Sequence, residues 1–173
     1  MKKLFTLLAL IGIVSLQSCT VSEVAPINDN DTIPQAFEIK NVNLGRVADN
    51  EYNISSTFQF EIGGDLFNDE TILVYRMSGL VNSTTPIWQL IPRTIYLSNG
   101  NELDYDFDFS KKDFFITARG TYNLLITPQY IDNQTFRIVI LPTNLLSSVN
   151  KNNYIAVMAA LNLKESQVQK INF

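Results

Sequence analysis

Leu103-Asp104-Tyr105-Asp106-Phe107-Asp108-Phe109 alternates large apolar and acidic residues without a break. A period of two is the mark of a β-strand with one face on a core and one in water, because successive side chains leave the backbone on opposite sides. Leu103, Tyr105, Phe107 and Phe109 are therefore expected to face inward. Asp104, Asp106 and Asp108 are expected to form a ladder of carboxylates on the outer face. The rest of the chain can be read outward from this strand.

Just upstream, Asn99-Gly100 is a tight-turn signal between apolar runs, and it predicts a hairpin joining Arg93–Leu97 to Leu103–Phe109. The stretch Ile87–Leu97 should be one bent strand or two short ones, since Pro92 has no amide hydrogen to give to a ladder. In Tyr52–Ile62, residues Tyr52, Ile54, Phe58, Phe60 and Ile62 alternate with Asn53, Ser55, Thr57, Gln59 and Glu61, which predicts a half-wet strand ended by Gly63-Gly64-Asp65. In Ile72–Met77, Leu73, Tyr75 and Met77 share one face and Arg76 shares the other with Ile72 and Val74. Further strands are expected at Phe114–Ala118, Tyr122–Ile126 and Thr135–Leu141.

The pattern changes after Pro142. Tyr154, Val157, Met158 and Leu161 recur at helical spacing, so Asn152–Asn162 should be an amphipathic helix whose apolar stripe closes an open end of the β core. Val168, Ile171 and Phe173 return as a short edge strand or cover one. The expected fold is all-β, an antiparallel β-sandwich of about eight strands with one C-terminal amphipathic helix. An open β-barrel plugged by that helix is the alternative architecture.

The other end of the chain carries a different message. Met1-Lys2-Lys3 is followed by an apolar run from Leu4 to Leu16 and then by Gln17-Ser18-Cys19, with small Ser18 before the one cysteine. A helix over that run spans about 20 Å, short of a hydrocarbon layer of roughly 30 Å, so it reads as a cleaved leader. The arrangement resembles a bacterial lipoprotein signal peptide. That resemblance implies a leader over residues 1–18, lipid (palmitate among the acyl chains) on Cys19, and a place in the cell envelope at the outer membrane. Residues 19–34, with Asn28-Asp29-Asn30-Asp31 and two prolines, read as a tether, and residues 35–173 as the folded domain. Thr20-Val21-Ser22 follow the cysteine with Glu23 the nearest acid, which leaves the facing leaflet open.

Composition removes several functions. The chain has 13 basic and 17 acidic residues, a net charge of −4, and becomes more acidic once Lys2 and Lys3 leave with the leader. No basic cluster exists to grip phosphates, so no nucleic-acid partner is expected. With no histidine, Ser-His-Asp catalysis and His-based metal sites are excluded. No glycine pattern forms a phosphate loop, and no cofactor is expected. Paired carboxylates among Glu61, Glu70, Glu102, Asp104, Asp106 and Asp108 would still suffice for glycoside hydrolysis, which needs no histidine.

Two groups of residues invite a functional reading. Same-face residues on a strand lie about 6.6–6.8 Å apart, too far for Asp104, Asp106 and Asp108 to wrap one calcium ion, so no metal is expected there. They form either a solvated face relieved by arginines or an electrostatic patch for a partner. Arg76, Arg93, Arg119 and Arg137 all fall in or beside strands, and Arg93, across the Asn99-Gly100 hairpin, is the expected partner of the ladder. Trp88 and Tyr96 form either an aromatic platform for a ligand or part of the core.

Leu73-Val74-Tyr75-Arg76-Met77, Trp88 through Leu97, Leu103 through Phe109 and Gln134 through Ile140, together with the terminal helix, resemble an uncharacterised family of lipid-anchored proteins from flavobacteria and their relatives. The likeness runs from Thr71 to Phe173. It implies an anchored β-sandwich and supplies no catalytic residue. The reading is a non-enzymatic envelope lipoprotein, a structural or binding module held to the membrane through Cys19, with an envelope protein or a glycan as partner. A carbohydrate-binding or carboxylate-based glycan-hydrolysing lipoprotein is the competing class.

Overall fold

The computed structural model describes residues 34–173. The expected leader, Cys19 and the tether up to residue 33 lie outside the described residues. Pro92 is the point at which the chain changes sheet: one strand runs over Pro86–Ile91, the next over Arg93–Tyr96, and the two belong to different sheets. Of the two forms expected for this stretch, the pair of short strands is the one adopted.

In chain order the elements are β1 (Gln35–Val42), β2 (Gly45–Ala48), β3 (Glu51–Thr57), α1 (Phe58–Ile62), β4 (Glu70–Leu80), β5 (Pro86–Ile91), β6 (Arg93–Tyr96), β7 (Glu102–Phe109), β8 (Asp113–Gly120), β9 (Gln134–Pro142), α2 (Tyr154–Ala160) and β10 (Gln169–Asn172). Sheet I has the order β10-β1-β9-β4-β5 and sheet II the order β2-β3-β8-β7-β6. Neighbours are antiparallel except β10, which runs parallel to β1. The protein is thus mostly β, with two five-stranded sheets packed together, and no ladder among the described residues closes them into a barrel. The strand count exceeds the expected eight because β1 and β2 precede the first expected strand and the stretch around Pro92 supplies two.

Phe37, Ile39, Ile72, Val74, Leu103, Tyr105, Phe114, Ile116, Phe136 and Ile138 fill the space between the sheets. Tyr105 meets Phe136 edge-on from the opposite sheet, with ring centroids 6.3 Å apart. Strand β9 is buried on both faces over nearly its whole length, which explains its continuous apolar run in place of alternation. Its outer face, with Leu73 and Tyr75 of β4, is covered by Tyr154, Val157, Met158 and Leu161. Helix α2 therefore lies on a sheet face and does not plug an end. It is shorter than expected, capped by Asn153, whose side chain accepts from the Ala156 amide at 3.1 Å. Among the described residues no helix is long and apolar enough to cross a membrane.

Three departures have physical causes. Tyr52–Ile62 is not one strand: β3 ends at Thr57, whose hydroxyl accepts from the Phe60 amide, and Gly63 closes α1 in the left-handed region at φ 82°. Helical spacing puts Phe58 and Glu61 inside and leaves Phe60 79% exposed, so two residues exchange the faces that alternation assigns them. Tyr122–Ile126 is likewise no strand. Asn123 caps a single 3-10 turn over Leu124–Ile126, with Leu124 buried and its two followers exposed. Along β7, Leu103 and Tyr105 are buried, but Phe107 is half-buried and Phe109 exposed. Partner β6 pairs only with Glu102 through Tyr105, so β7 becomes an edge from Asp106 onward.

Candidate functional site

The aspartate ladder lies on the outer face of sheet II, which no helix covers among the described residues. Asp104 stands between Thr94 and Arg119, Asp106 opposite Thr117, and Asp108 opposite Phe115; all three are exposed. The cation facing the ladder is Arg119. Its Nε donates to Glu51 Oε2 at 3.0 Å, and Asp106 and Asp104 add their charge from farther off. The hydrogen bond to Glu51 is the main cause that raises the Arg119 guanidinium above its ordinary range, and the same bond holds the Glu51 carboxyl below its own. Arg93 is in register with Tyr105, one residue off the ladder. No ion pair among the described residues includes Arg93 or any of the three aspartates. A groove of about 280 Å³ is lined by Arg93, Thr94, Asp104, Asp106, Thr117 and Arg119 among others.

That groove does not resemble a hydrolase cleft. Its two carboxylates project side by side from one strand, whereas glycoside cleavage needs acids on opposite sides of the scissile bond. Of the other acids, Glu61 is buried with Oε1 on the Ser56 hydroxyl at 2.5 Å, and Glu70 accepts from the Phe67 amide at 2.8 Å. Among the described residues no three acidic side chains are placed to share an ion.

Trp88 and Tyr96 do not share a platform, because they lie on different sheets. Tyr96, on β6, is 75% exposed. Trp88, in register with Met77, faces the outer side of sheet I and is half-buried, 5.7 Å from the Tyr154 ring. Over its ring, at 4.3 Å, lies the guanidinium carbon of Arg137. Arg137 is 2% exposed and fully engaged: Nε donates to Glu38 Oε2 at 3.0 Å, Nη1 to both Glu165 oxygens at 2.8 Å, and Nη1 also to the Tyr154 hydroxyl. Lys40 Nζ reaches Glu38 Oε1 at 3.1 Å. Burial alone would raise the Glu38 carboxyl, but its bonds to Arg137 and Lys40 outweigh burial and hold it below the ordinary carboxylate range. Burial pushes the Tyr154 hydroxyl upward, and its bond to Glu165 adds to the shift. This is a closed network that joins the C-terminal segment to sheet I.

Arg76 is different. It faces the space between the sheets and is 6% exposed, yet no carboxylate pairs with it among the described residues. Its Nε donates to Gln134 Oε1 at 2.8 Å. Gln134 is itself clamped, its amide nitrogen donating to the carbonyls of Gln129 at 2.9 Å and Asp132 at 2.6 Å. The guanidinium carbon sits 4.5 Å above the Tyr105 ring. Arg76 lines two adjoining clefts, one of about 630 Å³ shared with Gln89, Arg93, Thr94 and Tyr96, the other of about 430 Å³ shared with Asp132 and Gln134.

The structure thus brings Arg93 and Tyr96 together with Arg76, a grouping that sequence spacing does not reveal. Alternation does place Arg76 on the face of Ile72 and Val74. What it lacks is the loop carrying Gln129 and Tyr130, which follows β8 and folds back over the end of the sheets. Comparison of the chain with protein-family models, with curated proteins and with solved structures finds no match.

Proposed function

We propose that this protein is a lipid-anchored, non-enzymatic binding module of the bacterial cell envelope, held at the outer membrane through Cys19. The observation that carries the binding role is the contrast between the two outer faces. Helix α2 and its apolar contacts cover the middle of the outer face of sheet I, whereas that of sheet II presents exposed charge continuous with the Arg93 groove. The described domain begins with β1, a strand of sheet I. The Lys2-Lys3 start, the apolar run and Ser18-Cys19 support the anchor.

The anchor is tested by metabolic labelling with a fatty acid. The full chain is expected to incorporate label and partition into detergent, and Cys19→Ala to lose both; label retained in Cys19→Ala would remove the assignment. A second reading, glycan binding, is favoured by the cleft in which Arg76, Gln89, Arg93, Thr94 and Tyr96 meet. Such a site combines fixed polar groups with an exposed aromatic ring, the usual make-up of a small-ligand pocket.

A further inference from the structure

We propose that the cleft between Arg76 and Arg93 binds an acidic sugar, a hexuronate-like ring whose carboxylate is received by the Arg76 guanidinium. The proposal rests on the glycan-binding reading and specifies its ligand class. A buried guanidinium without a counter-ion is costly, and such groups in folded proteins are paired as a rule. Arg76 is the exception here. Its Nε is occupied by Gln134, while its terminal nitrogens neither take a hydrogen-bond partner among the described residues nor count among the sealed, unsatisfied atoms. They therefore open onto the cleft.

The group is also held in one pose. Tyr105 supports its face, Gln134 fixes its Nε edge, and Gln134 is clamped by two backbone carbonyls. A planar fork fixed in this way offers two parallel N–H groups to a carboxylate without losing side-chain freedom on binding. Arg93 on the opposite sheet supplies a second positive charge. No acidic residue lines this cleft, in a chain whose acids outnumber its bases by 17 to 13. Asp132 lines the adjoining cleft on the other side of Arg76.

The remaining lining points to a hydroxylated ligand and not to a bare anion. Gln89, the register neighbour of Arg76, and Thr94 and Gln129 offer amide and hydroxyl groups that pair with sugar hydroxyls. Tyr96, 75% exposed on the same cleft, offers a flat ring for the sugar face. The volume of about 630 Å³ is that of a small-molecule pocket.

The test is calorimetric titration of the full chain in detergent with D-glucuronate, D-glucose and inorganic phosphate. Saturable binding of D-glucuronate is expected, about tenfold or more tighter than that of either other probe. Arg76→Met is expected to weaken it by about tenfold or more. Because Arg76 is buried, Arg93→Ala at an exposed strand end serves as the second variant, with an expected loss of about fivefold. The proposal falls if D-glucuronate gives no saturable binding, if D-glucose or phosphate binds as tightly, or if Arg93→Ala leaves its affinity unchanged. Fatty-acid labelling at Cys19 is read separately, so a failed titration would leave the anchored-module reading intact.

Discussion

Arg137 and Arg76 lie on adjacent strands of the same sheet, 2% and 6% exposed, and have opposite surroundings. Arg137 is in register with Tyr75 and Arg76 with Phe136, so the two side chains leave sheet I on opposite faces. On the outer face Arg137 is saturated by Glu38, Glu165 and Tyr154. On the inner face Arg76 has an amide, an aromatic ring and open clefts. Burial of a charge therefore does not by itself reveal a role. A complete set of partners marks an arginine that holds the protein together, and an incomplete set marks one with capacity left for something else.

The contrast can be broken by substitution. Arg137→Met should cost the most, about 3–5 kcal/mol in a denaturant titration, because it leaves the buried Glu38 carboxylate with only the half-exposed Lys40 as a partner. Adding Glu38→Leu should recover a large part of that loss, since no orphan charge then remains. A pH series sharpens the same point. Glu38 is held low in the folded protein, so its contribution is fully present above the ordinary carboxylate range and is lost as the pH falls from that range through the lowered value of the folded state. Thermal midpoints should fall on acidification in the parent and much less in Glu38→Leu/Arg137→Met.

Arg76→Met should cost less, about 1–3 kcal/mol, since it orphans only the Gln134 amide oxygen. A loss equal to that of Arg137→Met in the same titration would mean that Arg76 has a structural role of similar weight, and the comparison would fail. The smallest effect is expected at the surface. Asp106→Asn should stay within about 0.5 kcal/mol, as an exposed residue outside every ion pair of the described domain. If it proved as damaging as Arg76→Met, the ladder would have to be reread as a cooperative element.

What could be read from the residues alone follows from how local the governing physics is. Period-two alternation in β7 and the Asn99-Gly100 hairpin were legible because both depend on neighbours a few residues away. The apolar stripe of α2 was legible for the same reason. Alternation failed after Thr57, because Phe58, Phe60 and Ile62 fit a strand equally well, and only the Thr57 cap and Gly63 signal the turn of helix. The cation opposite Asp104 depends on register across a second hairpin, which selects Arg119 and not Arg93. Phe109 is exposed because β6 begins only at Arg93, the partner of Tyr105, a fact about a neighbouring strand. Arg76 could be placed on its face, but its lack of a carboxylate depends on residues remote in sequence, Tyr105 on the opposite sheet and Gln129 in a folded-back loop.

The strand order also bears on time. Sheet II has all five of its strands once Gly120 has been made, since it draws only on residues between Gly45 and Gly120. Sheet I cannot be assembled so early. Its central strand is β9, and until Pro142 exists β1 has no partner and the β4–β5 hairpin has no companion on its other side. A chain emerging N-terminus first therefore carries β1 without its sheet neighbours until β9 has been made. The Arg137 network closes later still, when Glu165 arrives, and β10 pairs with β1 after that, so the last bonds to form are those that hold β1 in place.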